Sequence, residues 1–95
     1  MEKPYETPET EVIDDEDVKI QEPRKVILFN DDIHTFEEVI LQLTKALKCS
    51  ITHATSLAFE AHTRGKAAVF SGEISECLKV QGVLEEIGLH TQIEI

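Results

Sequence analysis

Positive charge is what this chain has least of. Nine lysines and arginines face 19 aspartates and glutamates, for a formal net charge of −10. Nucleic-acid binding draws its affinity largely from Lys and Arg on phosphates, and this balance excludes it. Anionic membrane surfaces are excluded on the same ground. Long apolar runs are missing too: none approaches the roughly 20 residues that a membrane span needs. Met1-Glu2-Lys3-Pro4 lacks the apolar core of a secretory signal, so a cytoplasmic location is expected. Cysteine is scarce, and Cys49 and Cys77 stand without paired spacing, as reduced small hydrophobes. No glycine-rich phosphate loop, Walker motif or internal repeat is present. Neither cysteine has an evident base beside it, so covalent catalysis has little support. Cationic peptides, amines and metals remain as partners.

Ninety-five residues make one small domain at most. Residues 1–22 hold nine of the acids and two lysines, a balance of −7; residues 23–95 hold ten acids and seven bases, a balance of −3. Pro4, Pro8 and sparse apolar side chains leave too little surface to bury against the ordering entropy. Residues 1–22 are therefore expected to be a flexible, disordered acidic extension, either a solubilising tail or an arm that a partner engages. Residues 23–95 are the folded core domain.

The core opens on Val26–Phe29, a short apolar run that predicts a buried strand and stops at Asn30, Asp31 and Asp32. Thr35 predicts an N-cap, with Glu38 completing a capping box. Phe36, Val39, Ile40, Leu43, Ala46 and Leu47 then follow at helical spacing, predicting a helix over 36–48. Ser50 caps a second helix whose inner face is Ile51, Ala54, Leu57, Ala58 and Ala61, ended by Gly65 as a left-handed residue. Lys66–Phe70 predicts a second strand. Ile74, Cys77, Leu78 and Leu84 predict the inner face of a third helix, ended by Gly88, and alternation over Thr91–Ile95 predicts a half-exposed last strand. The order is β-α-α-β-α-β. Three strands cannot bury a face alone, so the fold expected is α+β in two layers, three helices packed on one face of a three-stranded sheet.

Polar residues gathered where a strand gives way to a helix suit binding, yet Asx residues are also the usual makers of turns and helix entries. Taken alone, Asn30-Asp31-Asp32 reads as a turn. His62, which closes the second helix, reads on its own as a capping residue. A metal site from Asp31, Asp32, His34 and His62 matches no strong signature, and no metal or other cofactor is expected.

Three segments together change that reading. Lys25-Val-Ile-Leu-Phe-Asn-Asp-Asp32, Thr35-Phe-Glu-Glu-Val-Ile40 and Ala61-His-Thr-Arg-Gly-Lys66 resemble the ClpS family of ATP-dependent Clp protease adaptors, and the spacing from Asn30 to His62 matches that family without a gap. The resemblance covers residues 24–95, and the acidic, proline-containing start looks like the family's N-terminal extension. It implies the same element order, and it implies a monomeric adaptor, not an enzyme, that captures the free N-terminal residue of substrate proteins, the N-degron. Such an adaptor delivers its substrates to a Clp AAA+ unfoldase through the unfoldase's N-terminal domain. By the same resemblance Asn30, Asp32 and His62 receive the α-amino group. Phe36, Val39, Ala58, Ala61 and Leu89 line a pocket for a bulky hydrophobic first side chain. Glu73, Glu76 and Lys79 face the unfoldase.

Several positions depart from the family's pattern. Phe36 stands where a methionine usually gates the pocket, Thr35 where a proline is usual, and His34 where a small polar residue is common. Ala58 and Ala61 replace larger residues, and Ala67–Glu73 is shorter than in commonly seen members. These changes bear on side-chain preference rather than on amine capture. The alternative is an interaction module of the same fold that does not read N-termini, for which Asn30, Asp32 and His62 would have no use.

Overall fold

The computed structural model describes residues 22–95. The extension expected over 1–22 lies outside the described residues, Glu22 excepted. The elements are β1 (Arg24–Phe29), α1 (Phe36–Leu47), α2 (Ile51–Arg64), β2 (Lys66–Gly72), α3 (Ile74–Glu85) and β3 (Thr91–Glu94). This is the β-α-α-β-α-β order that periodicity predicts. β1 is the central strand, antiparallel to both neighbours in the order β2-β1-β3.

Local chemistry sets the boundaries. Glu38 N–H donates to Thr35 Oγ1 at 3.1 Å and Thr35 N–H to Glu38 Oε1 at 2.8 Å, closing the capping box at the start of α1. Ser50 caps α2 by accepting from His53 N–H, and Gly65 ends it at φ 90°, a conformation that side chains resist. α1 ends without a glycine: Lys48 itself takes the left-handed conformation, its N–H donating to the Thr44 carbonyl.

One apolar cluster joins sheet and helices: Val26 and Leu28 of β1, Leu43 of α1, Leu57 and Ala61 of α2, and Cys77 and Leu84 of α3 all belong to it. α2 and α3 pack against the strands, and α1 packs against those two helices. A register shift between Val26 and Ile27 leaves Val69 as an extra residue in β2. Val69 and Phe70 both turn to the core as a result, which lets a seven-residue strand cover the cluster and run on to Gly72.

Three expectations need correction. Leu78 is 54% exposed and Ile74 is exposed as well, because Cys77, Val80 and Leu84 form the inner stripe of α3. Ile51 is 61% exposed, as the first residue of α2 ahead of the turn that packs. α3 stops at Glu85, and a separate turn carries the chain to Gly88. Both cysteines are free, and among the described residues no helix is long and apolar enough to cross a membrane.

Two glycines should respond in opposite directions to alanine. Gly82 lies inside α3, and a Cβ there meets nothing within 4 Å, so Gly82→Ala should raise stability in urea unfolding by about 0.5–1 kcal/mol. Gly65→Ala has the same open space but a positive φ and should lower stability by about 1 kcal/mol.

Candidate functional site

Two backbone bonds hold the end of β1. Phe29 N–H donates to the His90 carbonyl and Asn30 N–H to the Gly65 carbonyl, each at 3.0 Å. The polar loop therefore starts where the end of α2 and the approach to β3 meet.

Asp31 then turns the chain. Its Oδ1 accepts from the backbone N–H groups of Ile33 and His34 at 2.9 Å each, the Asx behaviour that favours these residues in turns. Its Oδ2 takes the His34 Nδ1 at 2.8 Å. Asn30 and Asp32 behave otherwise: both are exposed, and among the described residues their side chains have no hydrogen-bond partner. The turn reading holds for one of the three residues and leaves two free to bind.

His34 reaches in two directions. Its Nδ1 meets the Asp31 carboxylate and its Nε2 meets the backbone carbonyl of Ile87. Both partners accept, so a ring protonated on both nitrogens satisfies both. The Asp31 carboxylate first, and the Ile87 carbonyl second, hold the His34 pKa above its ordinary value. Burial pushes the Asp31 carboxyl up, but the His34 backbone N–H, the His34 ring and the Ile33 N–H together outweigh it and hold its pKa below the ordinary value. His34 thus contributes stability fully below the ordinary histidine range and loses it as pH rises through its raised value. Asp31 contributes above the ordinary carboxyl range and loses it as pH falls through its lowered value.

A cavity of about 510 Å³ opens beside this loop, between the start of α1 and the last turns of α2. Asn30, Asp32 and His62 line it, and so do Phe36, Val39, Ala58, Ala61 and Leu89. Ala58, Ala61 and Leu89 are buried and form its apolar depth, with Val39 half-buried beside them. Phe36 is exposed at the opening, its ring edge-on to His62 with centroids 6.4 Å apart. Every residue that the resemblance assigns to the amine or to the side-chain pocket therefore borders one space.

Leu28, Phe29 and Phe59 line the same cavity without having been assigned to a site, and Asp31 and His34, weighed above only as turn residue or metal ligand, line it too. Phe59 carries a usable signal: it is a large aromatic one position off the buried stripe of α2, and it stands 59% exposed. Glu73, Glu76 and Lys79 lie elsewhere, none of them lining the cavity. Glu73 is the N-cap residue of α3, and Glu76 lies 3.9 Å from Lys79 on its exposed face. Among the described residues no three His, Cys, Asp or Glu side chains gather as metal ligands.

The chain is similar to known proteins. Residues 19–91 match the family described as ATP-dependent Clp protease adaptor protein ClpS. The chain belongs to the ClpS family. The ClpS adapter protein of Salmonella gallinarum is 44% identical over 54 residues, which cover 55% of this chain and 51% of that protein. The Desulfatibacillum aliphaticivorans ClpS is 37% identical over 62 residues, covering 61% of this chain and 60% of that one. The human E3 ubiquitin-protein ligase UBR2 matches at 34% over 58 residues, 61% of this chain but 3% of the ligase. The aligned segment thus spans between a few per cent and three-fifths of these relatives. Among solved structures, Agrobacterium tumefaciens ClpS2 bound to L-phenylalaninamide is similar with a TM-score of 0.70 and 26% identity, covering 77% of this chain and 95% of that one.

In an NMR pH titration the His34 ring should show a midpoint above that of an unperturbed histidine, and Asp31→Ala should lower it. A midpoint indifferent to Asp31→Ala would break the pairing.

Proposed function

We propose that this chain is a non-enzymatic substrate adaptor. It binds the free N-terminal residue of proteins, preferring a bulky hydrophobic side chain, and delivers them to a Clp AAA+ unfoldase and its protease. The observation that carries the first half is the cavity itself, with an apolar interior and, at its edge, three polar side chains that have no hydrogen-bond partner among the described residues. Membership of a protease-adaptor family supports the second half.

A free α-ammonium carries a unit charge and three N–H donors, so it needs several acceptors converging on one point. Asp32 offers a carboxylate, Asn30 its side-chain oxygen, and His62 an unprotonated ring nitrogen. Each hydrogen bond to a charged group contributes about 1.5–3 kcal/mol, so two or three of them separate an amine from a blocked terminus. The C-terminal end of α2 beside Asn30 adds negative potential that also favours a cation. The first side chain then enters between Val39, Ala58, Ala61 and Leu89, where full burial of a leucine or phenylalanine is worth about 1.5–3 kcal/mol. ClpS2 of A. tumefaciens, solved with an aromatic amino-acid amide, is a relative with matching ligand chemistry. The exposed α3 edge with Glu73, Glu76 and Lys79 is the face assigned to the unfoldase, clear of the cavity.

Fluorescence anisotropy with peptides differing in their first residue tests this reading. Asp32→Ala should weaken binding of a phenylalanine-initiated peptide at least tenfold, about 1.4 kcal/mol; an unaffected mutant removes Asp32 from its role. Phe36→Ala should open the entrance and let isoleucine- or valine-initiated peptides bind, and no gain would count against Phe36 as the gate.

A further inference from the structure

We infer that His34 is a positioning residue of this site: its ring ties the loop bearing Asn30 and Asp32 to the turn that carries Leu89. The inference rests on the amine-capture reading above and deepens it. Among the described residues, Asp31 bonds within its own loop alone, to Ile33 and His34. Among the described residues, the bond of His34 Nε2 to the Ile87 carbonyl is the one hydrogen bond that leaves residues 31–34 for a distant segment. It crosses 53 positions of sequence. On the far side, Ile87 and Gly88 lead directly into Leu89, which is buried and lines the cavity. Gly88 packs under the ring, where a Cβ would stand 3.9 Å from His34 Cε1. One imidazole, with its side chain 11% exposed, therefore joins the polar edge of the cavity to its apolar depth.

The consequence is preorganisation. Acceptors already held in place need not be ordered when the ligand arrives, and that saving appears as affinity. The joint is complete when the ring donates from both nitrogens. A neutral ring must turn a lone pair on either the Asp31 carboxylate or the Ile87 carbonyl. The charged groups nearest the ring are Asp31 and Glu38, with Asp32 and His62 around the same cavity; the turn after α3 meets it with the Ile87 carbonyl. His34 and His62 thus ask for opposite protonation states within one site.

Asp31→Asn separates the joint from its second proton. The amide oxygen can still accept from the Ile33 and His34 backbone, while its N–H donates to Nδ1 of a neutral ring whose Nε2–H reaches Ile87. The experiment is anisotropy of a phenylalanine-initiated peptide and its acetylated form against the full chain, from about pH 6 to about pH 9. His34→Ala should weaken the free-amine peptide about tenfold, with His34→Gln, whose amide can reach Ile87, recovering part of the loss. The affinity ratio of Asp31→Asn to the unmutated chain should climb as pH rises, since titration of the peptide's own amine cancels in that ratio. A flat ratio, or His34→Ala binding as well as the unmutated chain, overturns the positioning role while leaving amine capture standing. Should the unmutated chain bind acetylated and free peptides alike, amine capture fails first and this inference with it. If His34→Ala does not fold, the Asp31→Asn ratio decides alone.

Discussion

The 3.0 Å bond from Asn30 N–H to the Gly65 carbonyl closes β1 against the end of α2, and the geometry of the cavity depends on it. A strand interior must satisfy every backbone group, whereas the residue just past its end can point a side chain into solvent. Asn30 occupies that position. Gly65 reaches it by turning left-handed at the end of α2, which brings His62, three residues earlier, to the same cavity.

Three consecutive Asx residues divide the work. Asp31 is consumed by its own turn and by His34, and this frees Asn30 and Asp32 from local duty. Acceptors that are held but not satisfied suit a ligand rich in donors. The apolar wall beside them suits a side chain, so the cavity matches a molecule that carries an amine and a hydrophobic group on neighbouring atoms. An N-terminal residue is such a molecule, and the ClpS family relationship is consistent with it.

Elements whose order depends on local rules were legible in the sequence. The Thr35–Glu38 box, the Ser50 cap, the Gly65 terminus and the stripe of α1 follow from spacing alone. Features that depend on what packs from elsewhere were not. Gln42 lies three residues after Val39 and four before Ala46, on the inner stripe, where its polarity hides it. It is buried and its amide donates to the Val83 carbonyl of α3 at 2.6 Å. Leu78 has the apolar character of a core residue but sits on the face of α3 that nothing among the described residues covers. The β2 bulge and the His34–Ile87 bond join segments distant in sequence, which no periodicity encodes. For the site, individual residues were ambiguous between turn, cap and ligand; what distinguished them was the separation of Asn30 from His62, and that came from family resemblance.

The central claim is that the polar edge of the cavity reads a free amine while its apolar interior reads the side chain beside it. Its most direct test uses the smallest ligand with both features, L-phenylalaninamide, against N-acetyl-L-phenylalaninamide, followed by NMR. The account predicts that the free amine shifts the signals of Asn30, Asp32 and His62 together with those of Ala58, Ala61 and Leu89, and that the acetylated compound shifts none of them. Equal shifts from both compounds, or shifts confined to another surface, would contradict it.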